Sequence, residues 1–162
     1  MPSKTAVQVF PSETPEGPFY ITATQAAGRP RRTLKDGDTF AVLDSNGDIV
    51  ATSGGPGGLY YQDTRYLSRL ELLINDKRPL LLGSNVRDDN SALFVDLTNP
   101  DFILDQRVLL EKDTVHVLRT MFLWHDTAYQ RFAARNYGEQ PIELRLSIAF
   151  ENDFADLFEV RG

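Results

Sequence analysis

Alternation of apolar and polar residues with a period of two constrains this chain more than any other feature. Near the C-terminus, Ile142, Leu144, Leu146, Ile148 and Phe150 occupy every second position, with Glu143, Arg145 and Ser147 between them. Successive side chains of a β-strand point to opposite faces, so such a segment has one apolar and one polar face. A helix would scatter the same five residues around its surface. The pattern recurs upstream. In residues 66–74, Ser68, Leu70, Leu72 and Ile74 share one face, and Arg69 and Glu71 share the other.

The same reading predicts strands over 39–43, 49–52, 79–82, 92–98, 103–111, 115–124 and 128–137. Turn residues separate them: Asn99-Pro100-Asp101, Lys112-Asp113-Thr114, His125-Asp126-Thr127 and Gly138-Glu139-Gln140-Pro141. Between 39–43 and 49–52, Asp44-Ser45-Asn46-Gly47-Asp48 contains Asn-Gly, which tolerates positive φ at both turn centres and predicts a hairpin. No long stretch has a 3.6-residue period. Consecutive strands with short turns pair antiparallel, and the expected fold is an all-β antiparallel sandwich. Residues 1–35 hold Pro2, Pro11, Pro15, Pro18 and Pro30 and two β-like runs, 7–10 and 19–22. Proline removes a ladder donor, so this stretch is expected to be a lead-in covering a sheet edge, with the sandwich domain over 36–162.

Composition narrows the function classes. The 162 residues are 41% hydrophobic and 25% charged, as in an ordinary globular protein. A net charge of −6 works against nucleic-acid binding, and the one basic cluster, Arg29-Pro30-Arg31-Arg32, reads as part of a solvated lead-in. Cysteine is absent, which excludes disulfides and thiol chemistry. Met1-Pro2-Ser3-Lys4-Thr5 precedes no apolar signal core, no apolar run reaches membrane-helix length, and there is no Asn-x-Ser/Thr sequon. The expectation is a cytoplasmic protein with no membrane partner.

Several motifs bear on chemistry. The Asp44–Asp48 turn is a poor calcium loop: its glycine falls too early, and Gly55 stands where the last glutamate belongs. Gly54-Gly55-Pro56-Gly57-Gly58 lacks the Lys-Ser/Thr of a phosphate loop. There is no Gly-x-Ser-x-Gly elbow, and His116 and His125 alone make no metal set. No cofactor or metal is expected.

Two polar constellations remain. Tyr60-Tyr61-Gln62-Asp63-Thr64-Arg65-Tyr66 offers aromatic faces for sugar rings, with Asp and Arg for hydroxyl recognition. Alternatively, it is an Asp–Arg tie between a loop and a strand end. Phe150-Glu151-Asn152-Asp153-Phe154-Ala155-Asp156-Leu157-Phe158-Glu159-Val160-Arg161 holds four acids. In a continued strand Glu151 and Asp153 would lie roughly 7 Å apart on one face. That is within the roughly 6.5–9.5 Å of an inverting carboxylate pair. Any acid pair at this spacing shows the coincidence, and solvated acids explain it equally.

The segment Gly58-Leu59-Tyr60-Tyr61-Gln62-Asp63-Thr64-Arg65-Tyr66-Leu67-Ser68-Arg69-Leu70-Glu71-Leu72, continued by Asn75, Arg78 and residues 79–82, resembles the Asp-Thr-Arg region of the N-terminal domain of bacterial and archaeal-type glycogen debranching enzymes (amylo-alpha-1,6-glucosidase-like proteins). Residues 150–162 resemble a second signature of that domain, and the likeness covers about 35–162. The resemblance implies a supersandwich-like fold, as in other glycosidases with an (α/α)-barrel. The barrel carries the general acid and base, and nothing here resembles it. The implied function is a non-catalytic module that helps shape an α-glucan cleft and supports the barrel of the same polypeptide or complex. Alternatives are a stand-alone carbohydrate-binding module and a purely structural interaction domain. No catalytic residue is expected. Tyr60 and Tyr61, together with Asp63, Arg65, Asn152, Asp153, Asp156, Glu159 and Arg161, are the candidate contacts to glycogen-like glucan or to the barrel. The chain stops at Gly162, where the family's domain continues. The expectation is therefore a truncated domain or a short relative, self-associating through exposed sheet edges.

Overall fold

A computed structural model describes residues 30–50 and 55–161. The runs expected at 7–10 and 19–22 lie outside the described residues, as do Arg29 and positions 51 and 52 of the strand expected at 49–52. Twelve strands and one short helix follow in order: β1 (Arg32–Asp36), β2 (Thr39–Leu43), β3 (Gly58–Tyr61), β4 (Thr64–Leu67), β5 (Arg69–Ile74), β6 (Leu80–Val86), β7 (Ala92–Thr98), β8 (Phe102–Leu104), β9 (Arg107–Leu110), β10 (Val115–Trp124), β11 (Thr127–Asn136), β12 (Leu146–Glu151) and α1 (Leu157–Arg161). They form an antiparallel all-β sandwich. One sheet runs β1-β2-β3-β4 and the other β11-β10-β7-β6, with β12 paired to β5 and β8 to β9.

Period-two burial builds the core. Val115, Val117, Met121 and Leu123 of β10 and Leu93, Val95 and Leu97 of β7 face Leu34, Ala41, Leu43, Ile49, Leu70, Leu72 and Ile74. The strands expected at 39–43, 92–98 and 115–124 have those bounds. Tight turns join the strands. Gln62 and Asp63, Asn75 and Asp76, Asp105 and Gln106, and His125 and Asp126 all have positive φ at both centres. That is the requirement of the two-residue turns that match strand twist.

Four expectations are corrected. Segment 66–74 is two strands: β4 belongs to the first sheet, and after Ser68 the chain passes to β5, which pairs with β12. Segment 103–111 is the β8–β9 hairpin, turned at Asp105-Gln106. Only 146–151 of the C-terminal alternation is strand. Its apolar residues stand opposite buried Ile74, Leu72 and Leu70, yet Leu146, Ile148 and Phe150 remain 40%, 44% and 69% exposed. Finally, the Asn-Gly turn exists, with Asp44 N donating to Asp48 O at 2.8 Å and Gly47 at φ 77°. It does not join two paired strands. Both edges of β2 are taken by β1 and β3, and Ile49 bridges Leu70 of β5 instead.

The reason for the last correction is a buried charge. Arg119 sits on the core parity of β10 and is fully buried; its Nη1 donates to Asp48 Oδ1 at 2.6 Å and to Asn46 O at 3.0 Å. Asp48 also accepts from Leu72 N at 3.1 Å and pairs with Arg78 at 2.8 Å. The carboxylate thus pulls residues 44–48 inward, against β5 and β10. Removing one partner of a buried pair strands the other charge, at about 3–5 kcal/mol. Asp48→Ala and Arg119→Ala are each expected to lose stability of that order in urea unfolding. Arg119→Met combined with Asp48→Leu is expected to lose less than the sum of the two alanine variants.

Candidate functional site

The two signatures lie about ninety positions apart in sequence and meet along β4. Thr64 bridges Asp156, Arg65 N donates to Ala155 O at 2.9 Å, and Leu157 N donates to Asp63 O at 2.8 Å. Residues 155–157 therefore run beside β4 as a short added strand, a seam between the domain's first sheet and its C-terminal segment.

Most of the polar groups here are used by the seam itself. Arg65 grips Asp153 with both ends of its fork, Nε donating to Oδ1 at 3.1 Å and Nη2 pairing with Oδ2. Its Nη1 donates to Gly55 O at 3.2 Å and Gly57 O at 3.3 Å. A Cβ on Gly58 would lie 2.6 Å from Arg65 Cδ and 2.7 Å from Tyr60 Cε2. Glycine there is what lets the arginine lie flat across the loop. The hydrogen bond from Arg65, ahead of its charge, holds the Asp153 carboxyl below the ordinary aspartate range.

Asp156 and Glu159 form a capping box for α1. Asp156 Oδ1 accepts from Phe158 N at 2.8 Å, and Glu159 Oε2 accepts from Asp156 N at 3.0 Å. Asp63 is the second residue of the β3–β4 turn, at φ 66°, a conformation that aspartate tolerates better than most residues. Glu151 pairs with Arg69 at 2.7 Å. The strand ends at Glu151, so Glu151 and Asp153 do not continue along one strand, and each is engaged by its own arginine. A general acid for glycoside cleavage needs a raised pKa, and Asp153 is shifted the opposite way.

The aromatic candidates divide. Tyr60 is fully buried, stacked on Phe40 at 4.5 Å, with its hydroxyl donating to Pro56 O at 2.9 Å. It offers no face to solvent. Tyr61 is half-buried and meets Tyr66 edge-on at 6.3 Å, and Tyr66 meets Phe154 edge-on at 5.7 Å. Tyr66 is 44% and Phe154 59% exposed. Phe154 has φ 52°, which for a bulky residue costs of order 1–3 kcal/mol. The flanking pairs hold it there. Asn152 is exposed; Arg161 closes α1, and its side chain lies outside the described residues.

Residues 34–162 match the family model described as the N-terminal domain of (some) glycogen debranching enzymes. The chain belongs to that family. No curated protein and no solved structure matches it. Among the described residues of this debranching-enzyme domain no cluster of His, Asp and Glu could hold a metal ion, and no helix is long and apolar enough to cross a membrane.

The structure brings the two segments singled out from the sequence together along β4, and it adds Tyr66 as a partner of Tyr61 and Phe154 as a partner of Tyr66, neither of which is among the candidate contacts. Their signal was available: both signatures carry an exposed-looking aromatic beside an ion-pairing residue, Tyr66 after Arg65 and Phe154 after Asp153. The seam is expected to be acid-sensitive. The folded-state pKa of Asp153 is depressed, so its contribution is complete above about pH 4, the unfolded range, and is lost as pH falls through the lower folded value. The protection of the Arg65 and Leu157 amides from hydrogen exchange, relative to their intrinsic rates, should fall there. Asp153→Asn should produce the same loss of protection at neutral pH.

Proposed function

We propose that this chain is a non-catalytic N-terminal module of a debranching-type glycoside hydrolase, amylo-alpha-1,6-glucosidase-like, acting in the cytoplasm. Its seam braces an (α/α)-barrel catalytic domain beside an α-glucan cleft. The family match supports the enzyme class. The observation that carries the structural role is how the seam's charges are used. Asp153, Glu151, Asp156 and Glu159 hold Arg65, Arg69 and the end of α1. Among the side chains that the seam leaves exposed are three large aromatic ones, Phe150, Phe154 and Phe158, at 69%, 59% and 78%. Exposed aromatic side chains in one segment suit a protein surface better than a reacting sugar. A barrel seated there would cover them and complete the open edge of β12. A second copy of the chain is the competing occupant of that edge.

Two measurements test this. The chain alone should release no glucose from an α-1,6-branched limit dextrin; release abolished by Asp153→Ala would contradict the non-catalytic reading. Mixed with an (α/α)-barrel domain of a debranching enzyme, the chain should form a complex that Phe154→Ser and Phe158→Ser weaken about tenfold or more. Self-association lost in the same variants, with no barrel binding, would assign the surface to a second copy.

A further inference from the structure

We propose that the outer face of the second sheet, on β7, β10 and β11, is a platform on which the pyranose rings of an α-glucan chain stack. The face is far in sequence from both signatures. On β10 the core takes Val115, Val117, Arg119, Met121 and Leu123, so Thr120, Phe122 and Trp124 point the other way. Phe122 stands opposite Tyr129 of β11, and their rings stack at 4.9 Å and 8°. Trp124 lies 6.5 Å from Tyr129 at 48°, and it is 58% exposed. Phe94 of β7 is 38% and Tyr129 39% exposed.

Polar groups flank these rings. Asn85, Phe94, Thr120 and Arg131 are directly opposite one another across four strands, a row about 14 Å wide at about 4.8 Å per strand. Exposed aromatic rings beside hydrogen-bonding side chains match a sugar ring, whose C–H groups form an apolar face and whose hydroxyls project from the rim. Among the described residues two further exposed patches, Leu80, Leu81 and Leu82 on β6 and Val108 and Leu109 on β9, are aliphatic and have no ring face to offer, whereas the seam exposes the rings of Phe150, Phe154 and Phe158.

The platform is held in place. His125 N donates to Asp36 Oδ2 at 2.8 Å, and Thr39 Oγ1 donates to Asp126 Oδ1 at 3.2 Å. These bonds fasten the β10–β11 turn to the first sheet, and Trp124 packs on the His125 ring at 4.4 Å. A preformed surface binds without first ordering its side chains.

This inference rests on the α-glucan reading above. Trp124 is the only tryptophan, so its emission reports the site without labelling. Maltoheptaose added to the full chain should shift and intensify or quench that emission. Retention in glycogen-containing native gels should weaken about tenfold with Trp124→Ala or Tyr129→Ala, and not with Tyr66→Ala. Trp124→Ala should unfold with a nearly unchanged urea midpoint, and Tyr129→Ala, which loses the stack on Phe122, with a modestly lower one that leaves the chain folded under the assay conditions. Retention that depends on Tyr66 and Phe154, with Trp124 emission unmoved, would overturn the platform and leave the α-glucan reading intact. No retention and no spectral change would overturn both. Self-association that Trp124→Ala abolishes, without a sugar response, would make the face a contact between copies and overturn the platform.

Discussion

The buried pair of Arg119 and Asp48 is the contact on which the arrangement of the two sheets depends. A guanidinium and a carboxylate cost several kcal/mol each to take out of water, and only full hydrogen bonding offsets that. Here nearly every polar atom is engaged. Arg119 Nε and Nη2 both donate to Gln130 Oε1, at 3.1 and 3.0 Å, and its guanidinium carbon lies 5.9 Å from the Phe132 ring. Arg78 reaches Asp48 and Asp44 together, and its Nε is the one buried side-chain polar atom without a partner among the described residues. The cluster therefore joins the β2 turn, β5, β10 and β11 in one polar knot within an otherwise apolar core. Hydrophobic burial holds the sheets together, but it is non-directional; the knot sets their register, because displacing either sheet would leave a charge buried and unpaired.

The same device recurs on the surface at the seam. Arg65 with Asp153, and Arg69 with Glu71 and Glu151, tie the C-terminal segment to β4 and β5. More exposed pairs contribute less individually. Their consequence is positional: they fix which side chains of residues 150–158 turn outward. Most charged groups that the residue types alone offer as sugar or acid–base chemistry are engaged within the domain, Arg65 with Asp153, Glu151 with Arg69, and Asp156 and Glu159 with backbone amides, while several aromatic rings stay exposed. Membership of a family of glycogen debranching enzyme N-terminal domains and a surface carrying aromatic rings are compatible on those terms.

Much of the fold was legible because alternation is a local signal. β7 and β10 can be bounded from their own residues, since each buries one face on the facing sheet. What was not legible depends on distant partners. Arg119 falls on the core parity of β10, between Val117 and Met121, and nothing nearby says that Asp48 will meet it there. The Asn-Gly turn reads as a hairpin for the same reason: the turn is local, but the Asp48 contact that sends Ile49 to Leu70 is not. The break at Ser68 was hidden by alternation that continues across it. In the candidate site, Asp63 and Arg65 were visible as residues, whereas their uses, a positive-φ turn and a clamp on Asp153, needed the β4 seam. Tyr60 is the opposite case. Its residue type suggested a sugar face, and its inward parity on β3 buries it against Phe40.

If arginine–carboxylate ties are internal fastenings of this domain, the Nε–H of Arg65, which donates to Asp153, is the most direct witness, and the Nε–H of Arg119, which donates to Gln130, reports the burial of the guanidinium that holds Asp48. Their proton–nitrogen correlations can be recorded at neutral pH with and without saturating maltoheptaose. Both signals should be present, protected from exchange with water and unmoved by the sugar. An Arg65 signal absent through rapid exchange in the free chain, and appearing only when glucan is added, would contradict the account.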